Sequence, residues 1–150
     1  MDRPAFPTLM FDHIGIVTEN VDTAVRRLAS AVGASEVTRR FDDEVLRVTV
    51  RFVRDPSGMV YEMIAPFGEG SPVAQTLKSK TNLLNQIAYR TGSIEKSAAA
   101  LRAGGNLPLG KPAPAIAFSG ARVQFFFSPL GFVIELIEKN DHVHNFCEVI

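Results

Sequence analysis

The chain has 150 residues, 46% hydrophobic and 21% charged, with Lys+Arg 16 against Asp+Glu 16. That size suits one domain with a proper core, and the even charge offers no handle to nucleic acid or an acidic membrane surface. Cys147 is the only cysteine, so no intrachain disulfide can form; no apolar run approaches the roughly 18 residues of a membrane span, and the N-terminus lacks the apolar core of a signal peptide, so the expected location is the cytoplasm.

Residues 1 to 9 carry two prolines and little pattern, and read as a loose leader. Phe11 to Thr18 is β-branched and alternating and predicts a strand with His13, Gly15 and Val17 on the face opposite Ile14 and Ile16. Asn20 can cap a helix over 21 to 32, with Val21, Ala24, Val25 and Leu28 as its apolar stripe and Gly33 as its stop. A second strand is expected over 35 to 41, a turn at Asp42-Asp43-Glu44, and a third strand over 45 to 54 that alternates Val48, Val50 and Phe52 against Arg47, Thr49 and Arg51. Asp55-Pro-Ser-Gly then turns the chain into a fourth strand over 59 to 65. This unit is βαβββ. A linker over 67 to 82 follows, with a short helix after Pro72.

The second half repeats the order: a strand over 83 to 90, a helix from the Ser93 cap to about Ala103, a short strand over 115 to 118, and strands over 122 to 127 and 132 to 138. Gly104 to Pro114 is rich in glycine and proline and reads as a mobile loop, a candidate lid. The tail, 140 to 150, holds two of the three histidines and shows no pattern.

The two halves are copies. Asp55-Pro-Ser-Gly-Met-Val-Tyr-Glu62 returns as Ser128-Pro-Leu-Gly-Phe-Val-Ile-Glu135, and a constant offset of 73 (135 − 62) also carries His13 onto Gln86, Ile14 onto Ile87, Thr18 onto Thr91, Val50 onto Val123 and Phe52 onto Phe125. Module 1 therefore spans about 11 to 66 and module 2 about 83 to 139. If such halves pack about a pseudo-twofold axis, His13, Glu62, Gln86 and Glu135 form two equivalent pairs around a shared cup. One imidazole nitrogen and three oxygens suit a divalent ion of intermediate hardness. A lone histidine or glutamate on a strand is ordinarily structural; the single offset that relates both pairs is what favours a metal site.

Phe11-Asp-His-Ile-Gly-Ile-Val, Tyr61-Glu-Met-Ile-Ala-Pro-Phe-Gly-Glu-Gly-Ser-Pro-Val-Ala and Ile134-Glu-Leu-Ile-Glu resemble the opening, middle and closing segments of the vicinal-oxygen-chelate superfamily, and within it the methylmalonyl-CoA epimerases. The resemblance implies an α+β glyoxalase-like fold of two tandem βαβββ modules. It places metal ligands at His13, Glu62, Gln86 and Glu135, for one divalent ion per chain such as Co, Ni, Mn, Zn, Fe or Mg. It implies proton abstraction beside a carbonyl of an acyl-CoA or similar small molecule, with Glu135 as a base and Glu44 near the position of a second catalytic glutamate. It also implies a homodimer. One departure stands out: epimerases typically carry His-His-Ile where this chain has Asn85-Gln86-Ile87, although glyoxalase I enzymes use a Gln, Glu, His, Glu set. A glyoxalase I-type lyase and a metal-free binding module of the bleomycin-resistance kind are the alternatives. Arg47 and Arg51 could face a carboxylate or phosphate, though charges alternating on a strand ordinarily face solvent, and Phe125 to Phe127 reads as core and subunit contact.

Overall fold

The computed structural model describes residues 8–150, so the leader expected over 1 to 9 lies outside the described residues except for its last two positions. In chain order the elements are β1 (Met10–Val17), α1 (Val21–Val32), β2 (Glu36–Val37), β3 (Phe41–Asp43), β4 (Val48–Arg54), β5 (Val60–Pro66), α2 (Ala74–Ser79), β6 (Leu84–Arg90), α3 (Ile94–Ala103), β7 (Leu107–Pro108), β8 (Ala113–Pro114), a 3-10 turn (Ile116–Phe118), β9 (Arg122–Phe127), β10 (Val133–Ile137) and β11 (Glu148–Val149). The strands form one mixed sheet in the order β11-β2-β4-β5-β1-β6-β10-β9-β7, with β3 also on β4 and β8 also on β9. This is the α+β architecture of two βαβββ modules.

The internal repeat is visible in the register. β1 and β6 run antiparallel at the centre with Ile14 opposite Ile87, its own repeat partner. On one side β5 lies parallel to β1 with Glu62 beside Gly15; on the other, β10 lies parallel to β6 with Glu135 beside Ala88. The local dyad thus passes between Ile14 and Ile87, and the residues flanking it, His13 and Gln86, are brought to the sheet centre together.

Each module lays its helix on the outer face. Asn20 accepts from the Thr23 amide at 3.0 Å, Gly33 ends α1 in the left-handed conformation at φ 73°, and Val21 and Val25 bury against Val37, Val53 and Met63. In α3, Ser93 accepts from Lys96 at 3.2 Å, and Ile94 and Ala98 pack on Phe126 and Leu136. The inner face is lined by Val48, Val50, Phe52, Ile64, Ala88, Phe118, Val123 and Ile137, which form the largest apolar cluster and the walls of a cup.

Several elements differ from the expectation. The strand predicted over 35 to 41 is split into β2 and β3, and Asp42 and Asp43 belong to β3 rather than to a turn. The turn falls later, at residues 44–47: the Asp43 side chain accepts from the amides of Val45 and Leu46 at 2.9 Å each, and Arg47 takes φ 57°, so β4 starts at Val48 rather than at 45. β4 is buried on both faces: on its outer side helix α1 packs on Val53, and Thr49 donates to Asp42 of β3 at 2.7 Å. The loop read as a candidate lid contains two short strands zipped onto β9, through Leu107 opposite Phe127 and Ala113 opposite Val123. The short strand expected over 115 to 118 is instead a 3-10 turn over Ile116–Phe118. The tail is ordered too: Glu148 and Val149 pair with Val37 and Glu36 at the sheet edge.

Candidate metal centre and its cavity

Four side chains meet at the floor of the cup. His13 Nε2 lies 3.4 Å from Glu62 Oε1 and 3.4 Å from Glu135 Oε1, and Gln86 Nε2 donates to the same two oxygens at 3.0 Å each. All four residues are buried: His13 is 0% exposed and Glu135 2%. The repeat explains the convergence, since Glu62 and Glu135 hold equivalent positions in β5 and β10, and His13 and Gln86 in β1 and β6. Gly15 makes it sterically feasible. Gln86 stands opposite Gly15 and folds across it, so that a Cβ there would come within 2.4 Å of Gln86 Cγ.

A second layer holds His13. The β1 register slips between Phe11 and His13, and this bulge at Asp12 lets neighbouring side chains meet: His13 Nδ1 lies 2.6 Å from Asp12 Oδ2. The other Asp12 oxygen faces Arg90 Nε at 3.2 Å, and His144 of the C-terminal tail reaches Asp12 Oδ2 at 2.7 Å. Phe118 stacks on the His13 ring with centroids 6.2 Å apart, and Phe52 meets it edge-on at 5.2 Å.

These surroundings set the charges. Burial opposes charging of His13, but the charge of Glu62, the hydrogen bond with Asp12 and the nearness of the Glu135 and Glu62 carboxylates outweigh it and hold the imidazole pKa well above its usual value. Burial lifts Glu135 to about 7, helped by the charge of Glu62 and opposed by His13. Burial also works to raise Asp12, yet the hydrogen bonds of His13 and His144 keep it well below the usual carboxylate range. Burial and the neighbouring His144 push His142 down to about 4.

The donor set fits a divalent cation. His13 Nε2 is buried without a hydrogen-bond partner and faces two carboxylates, and His13, Glu62 and Glu135 bring their ligand atoms within 4.8 Å of one another. In the metal-free chain the His13 imidazole is the counter-charge to these two buried carboxylates, the place that a metal cation would take. The oxygen and nitrogen ends of an amide are nearly isosteric, so Gln86 can donate to the carboxylates or present an oxygen to an ion.

Glu62, Gln86 and Glu135 open onto a cavity of about 550 Å³ walled by Val48, Val50, Ile64, Phe125, Phe132 and Val133 among others. Arg47 and Lys111, both exposed, line its rim. Of the residues singled out in the sequence, Glu44 is exposed on the turn and does not line the cavity; its neighbour Asp43 does, because Asp43 ends β3 facing inward. Asp43 Oδ2 also accepts from the Ile116 amide at 3.1 Å, joining the two modules through residues that the repeat relates. Arg51 is not in the cavity: it is paired with Asp22 at 2.8 Å and with Glu148. Phe125 lies on the cavity wall rather than only in the core. Among the described histidines only His13 meets Glu62 and Glu135; His144 approaches from the tail and contacts Asp12 instead. Sequence reading missed Asp12, Arg90 and His144, and the one available signal was an aspartate directly before the candidate ligand.

A family model described as Glyoxalase/Bleomycin resistance protein/Dioxygenase superfamily matches residues 12–125. An ethylmalonyl-CoA/methylmalonyl-CoA epimerase of Cereibacter sphaeroides is 30% identical over 115 residues, which cover 76% of this chain and 84% of that protein. A variant of Streptomyces coelicolor methylmalonyl-CoA epimerase, solved in complex with 2-nitronate-propionyl-CoA, superposes with a TM-score of 0.71 at 25% identity, over 92% of this chain and 99% of that one. The methylmalonyl-CoA epimerase of Mycobacterium tuberculosis shares the fold with a TM-score of 0.69 at 20% identity, over 91% of each chain.

Proposed function

The chain belongs to the glyoxalase/bleomycin resistance/dioxygenase superfamily, and on that premise we propose that it is a metal-dependent epimerase that moves a proton next to the carbonyl of an acyl-CoA or a similar thioester. The observation that carries this reading is the His13, Glu62, Gln86 and Glu135 quartet, with its unpartnered imidazole nitrogen, at the floor of a cavity. The epimerase names of the relatives support the same reaction class.

A divalent ion held by these four residues would supply Lewis acidity to the substrate carbonyl oxygen, where several kcal/mol of stabilisation makes the weakly acidic α-proton removable by a carboxylate. Glu135 is the proton acceptor in this reading, since its carboxylate lines the cavity beside the other three residues of the quartet. Inversion needs a second acid–base group on the opposite face. Asp43, from module 1, is the candidate for it in place of the exposed Glu44. The apolar walls exclude water from the planar carbon, and Arg47 and Lys111 at the rim suit the phosphates of a carrier such as CoA. By family likeness the proposal extends to a homodimer in the cytoplasm; among the described residues no helix is long and apolar enough to cross a membrane.

The test is isotope exchange. Methylmalonyl-CoA and its ethyl homologue are incubated in deuterated water with the protein, with chelator or with added Co²⁺, and followed by mass and by epimer ratio. Cation-dependent deuterium uptake with loss of stereochemical purity supports the reading. Turnover of a glutathione hemithioacetal instead would assign the glyoxalase I-type lyase. Binding without exchange under every metal condition would assign the metal-free binding module.

A further inference from the structure

We propose that His144 is a positioning residue: the C-terminal tail folds back across the molecule so that this imidazole fixes Asp12, and through Asp12 the orientation of His13. The inference rests on the metal-centre reading for its functional consequence, though the hydrogen-bond chain itself is independent of it.

Asp12 Oδ2 is shared by two imidazoles, His13 Nδ1 at 2.6 Å and His144 Nε2 at 2.7 Å, while Oδ1 faces Arg90 at 3.2 Å. The side chains of Asp12 and His144 are 5% and 8% exposed, so the contact is sheltered from water although the residues are 132 positions apart. Since the acceptor is a carboxylate, His144 Nε2 carries the hydrogen, and its Nδ1 is left to face His142 Nε2 at 3.4 Å. The His144 ring lies on Phe52 with centroids 4.3 Å apart, and His142 meets Phe118 at 4.9 Å; Phe52 and Phe118 are the two rings that also clasp His13. Tail and cup therefore form one cluster of rings behind the site.

The tail is anchored on both sides of this contact. Arg90 Nη1 donates to the Asn140 carbonyl at 2.5 Å, linking the start of the tail to the residue that pairs with Asp12. Beyond it, Arg54 lies over the Phe146 ring at 4.4 Å, Glu148 pairs with Arg51, and the Ile150 amide donates to Ser35 at 2.8 Å. Val143, between the two histidines, is 82% exposed. A tail held for packing alone needs only an apolar side chain on Phe52. A donor aimed at a buried carboxylate instead limits where that carboxylate can turn, and a carboxylate that cannot turn holds the imidazole it accepts from. Groups of this kind behind a metal-binding histidine typically matter by 10–100-fold in affinity.

The test uses the full chain, with His144→Ala, His144→Gln and Val143→Ala. Affinity is measured by titration of Co²⁺, and the His13 Nδ1–H is followed by ¹H–¹⁵N spectroscopy of the metal-free protein. We expect His144→Ala to weaken Co²⁺ binding about tenfold and to broaden the Nδ1–H resonance by faster exchange with water. Glutamine, whose amide nitrogen stands near the position of Nε2, restores most of both, and Val143→Ala changes neither. Wild-type affinity and an unchanged resonance in His144→Ala would overturn the inference and leave the metal centre standing. If the wild-type chain binds no cation, the proposed function fails, and the resonance alone decides whether His144 holds His13.

Discussion

The substitution Gly15→Ala probes the architecture of the site at its narrowest point. Gly15 is not among the positive-φ glycines, so alanine meets no backbone penalty there and the cost is steric. The new Cβ would lie 2.4 Å from Gln86 Cγ, 2.9 Å from Cδ and 3.0 Å from Nε2. Because the shortest contact is to Cγ, moving the amide tip cannot relieve it; Gln86 must leave its rotamer or the strands must part. Leaving the rotamer forfeits two hydrogen bonds to carboxylates, each worth about 1.5–3 kcal/mol, and parting the strands is an overpacking cost of about 1–3 kcal/mol. We expect a loss of about 3 kcal/mol in the chelated protein, hence a fall in Tm of about 6–12 °C for a chain of this size, together with weakened cation binding. Thermal unfolding of Gly15→Ala, Gln86→Ala and the double variant tests it. Once Gln86 is shortened the clash is gone, so the double variant should lie within about 0.5 kcal/mol of Gln86→Ala, a strong non-additivity. Additive losses, or a Gly15→Ala chain that melts within about 2 °C of wild type, would refute the reasoning.

Other expectations follow from the same geometry. Burial raises Glu135 from 4.5 to about 7, so the chelated protein keeps a proton that the unfolded chain releases. Its contribution to stability is complete below pH 4.5 and lost as pH rises toward 7, and urea midpoints across this range should show a slope that Glu135→Gln removes. His142 has the opposite sign: lowered from 6.5 to about 4, it supports the fold above pH 6.5 and withdraws that support as pH falls toward 4. Amide protection of β11 should drop over that interval. Asp43→Ala leaves the Val45, Leu46 and Ile116 amides without their acceptor and should cost about 2–4 kcal/mol in denaturant titrations, whereas Glu44→Ala should stay within about 0.5 kcal/mol of wild type.

Much of this arrangement is legible in the sequence because a duplication reports symmetry directly. An offset that relates Ile14 to Ile87 is what two strands meeting on a dyad require, and the pairing of these two residues is its physical expression. Helix caps at Asn20 and Ser93 are equally local and equally readable. The parts that escape are those without a periodic signature. The bulge at Asp12 breaks the two-residue alternation that would otherwise send Asp12 away from His13. The contact of His144 with Asp12 joins segments that share no pattern, and nothing local marks the tail as an ordered strap. At Asp43 and Glu44, three consecutive acids gave no register, and the difference between a buried cavity carboxylate and a solvated one rests on a single residue of phase.

The proposed function stands or falls with one divalent ion held by His13, Glu62, Gln86 and Glu135. The most direct measurement is an anomalous difference map from crystals of the wild-type chain grown with Co²⁺. One strong peak is expected, bounded by His13 Nε2, the Glu62 and Glu135 carboxylates and the Gln86 amide, with no such peak in Glu135→Ala. A map with no density at that point, or with the ion held instead on the far side of His13 by Asp12 and His144, would contradict it.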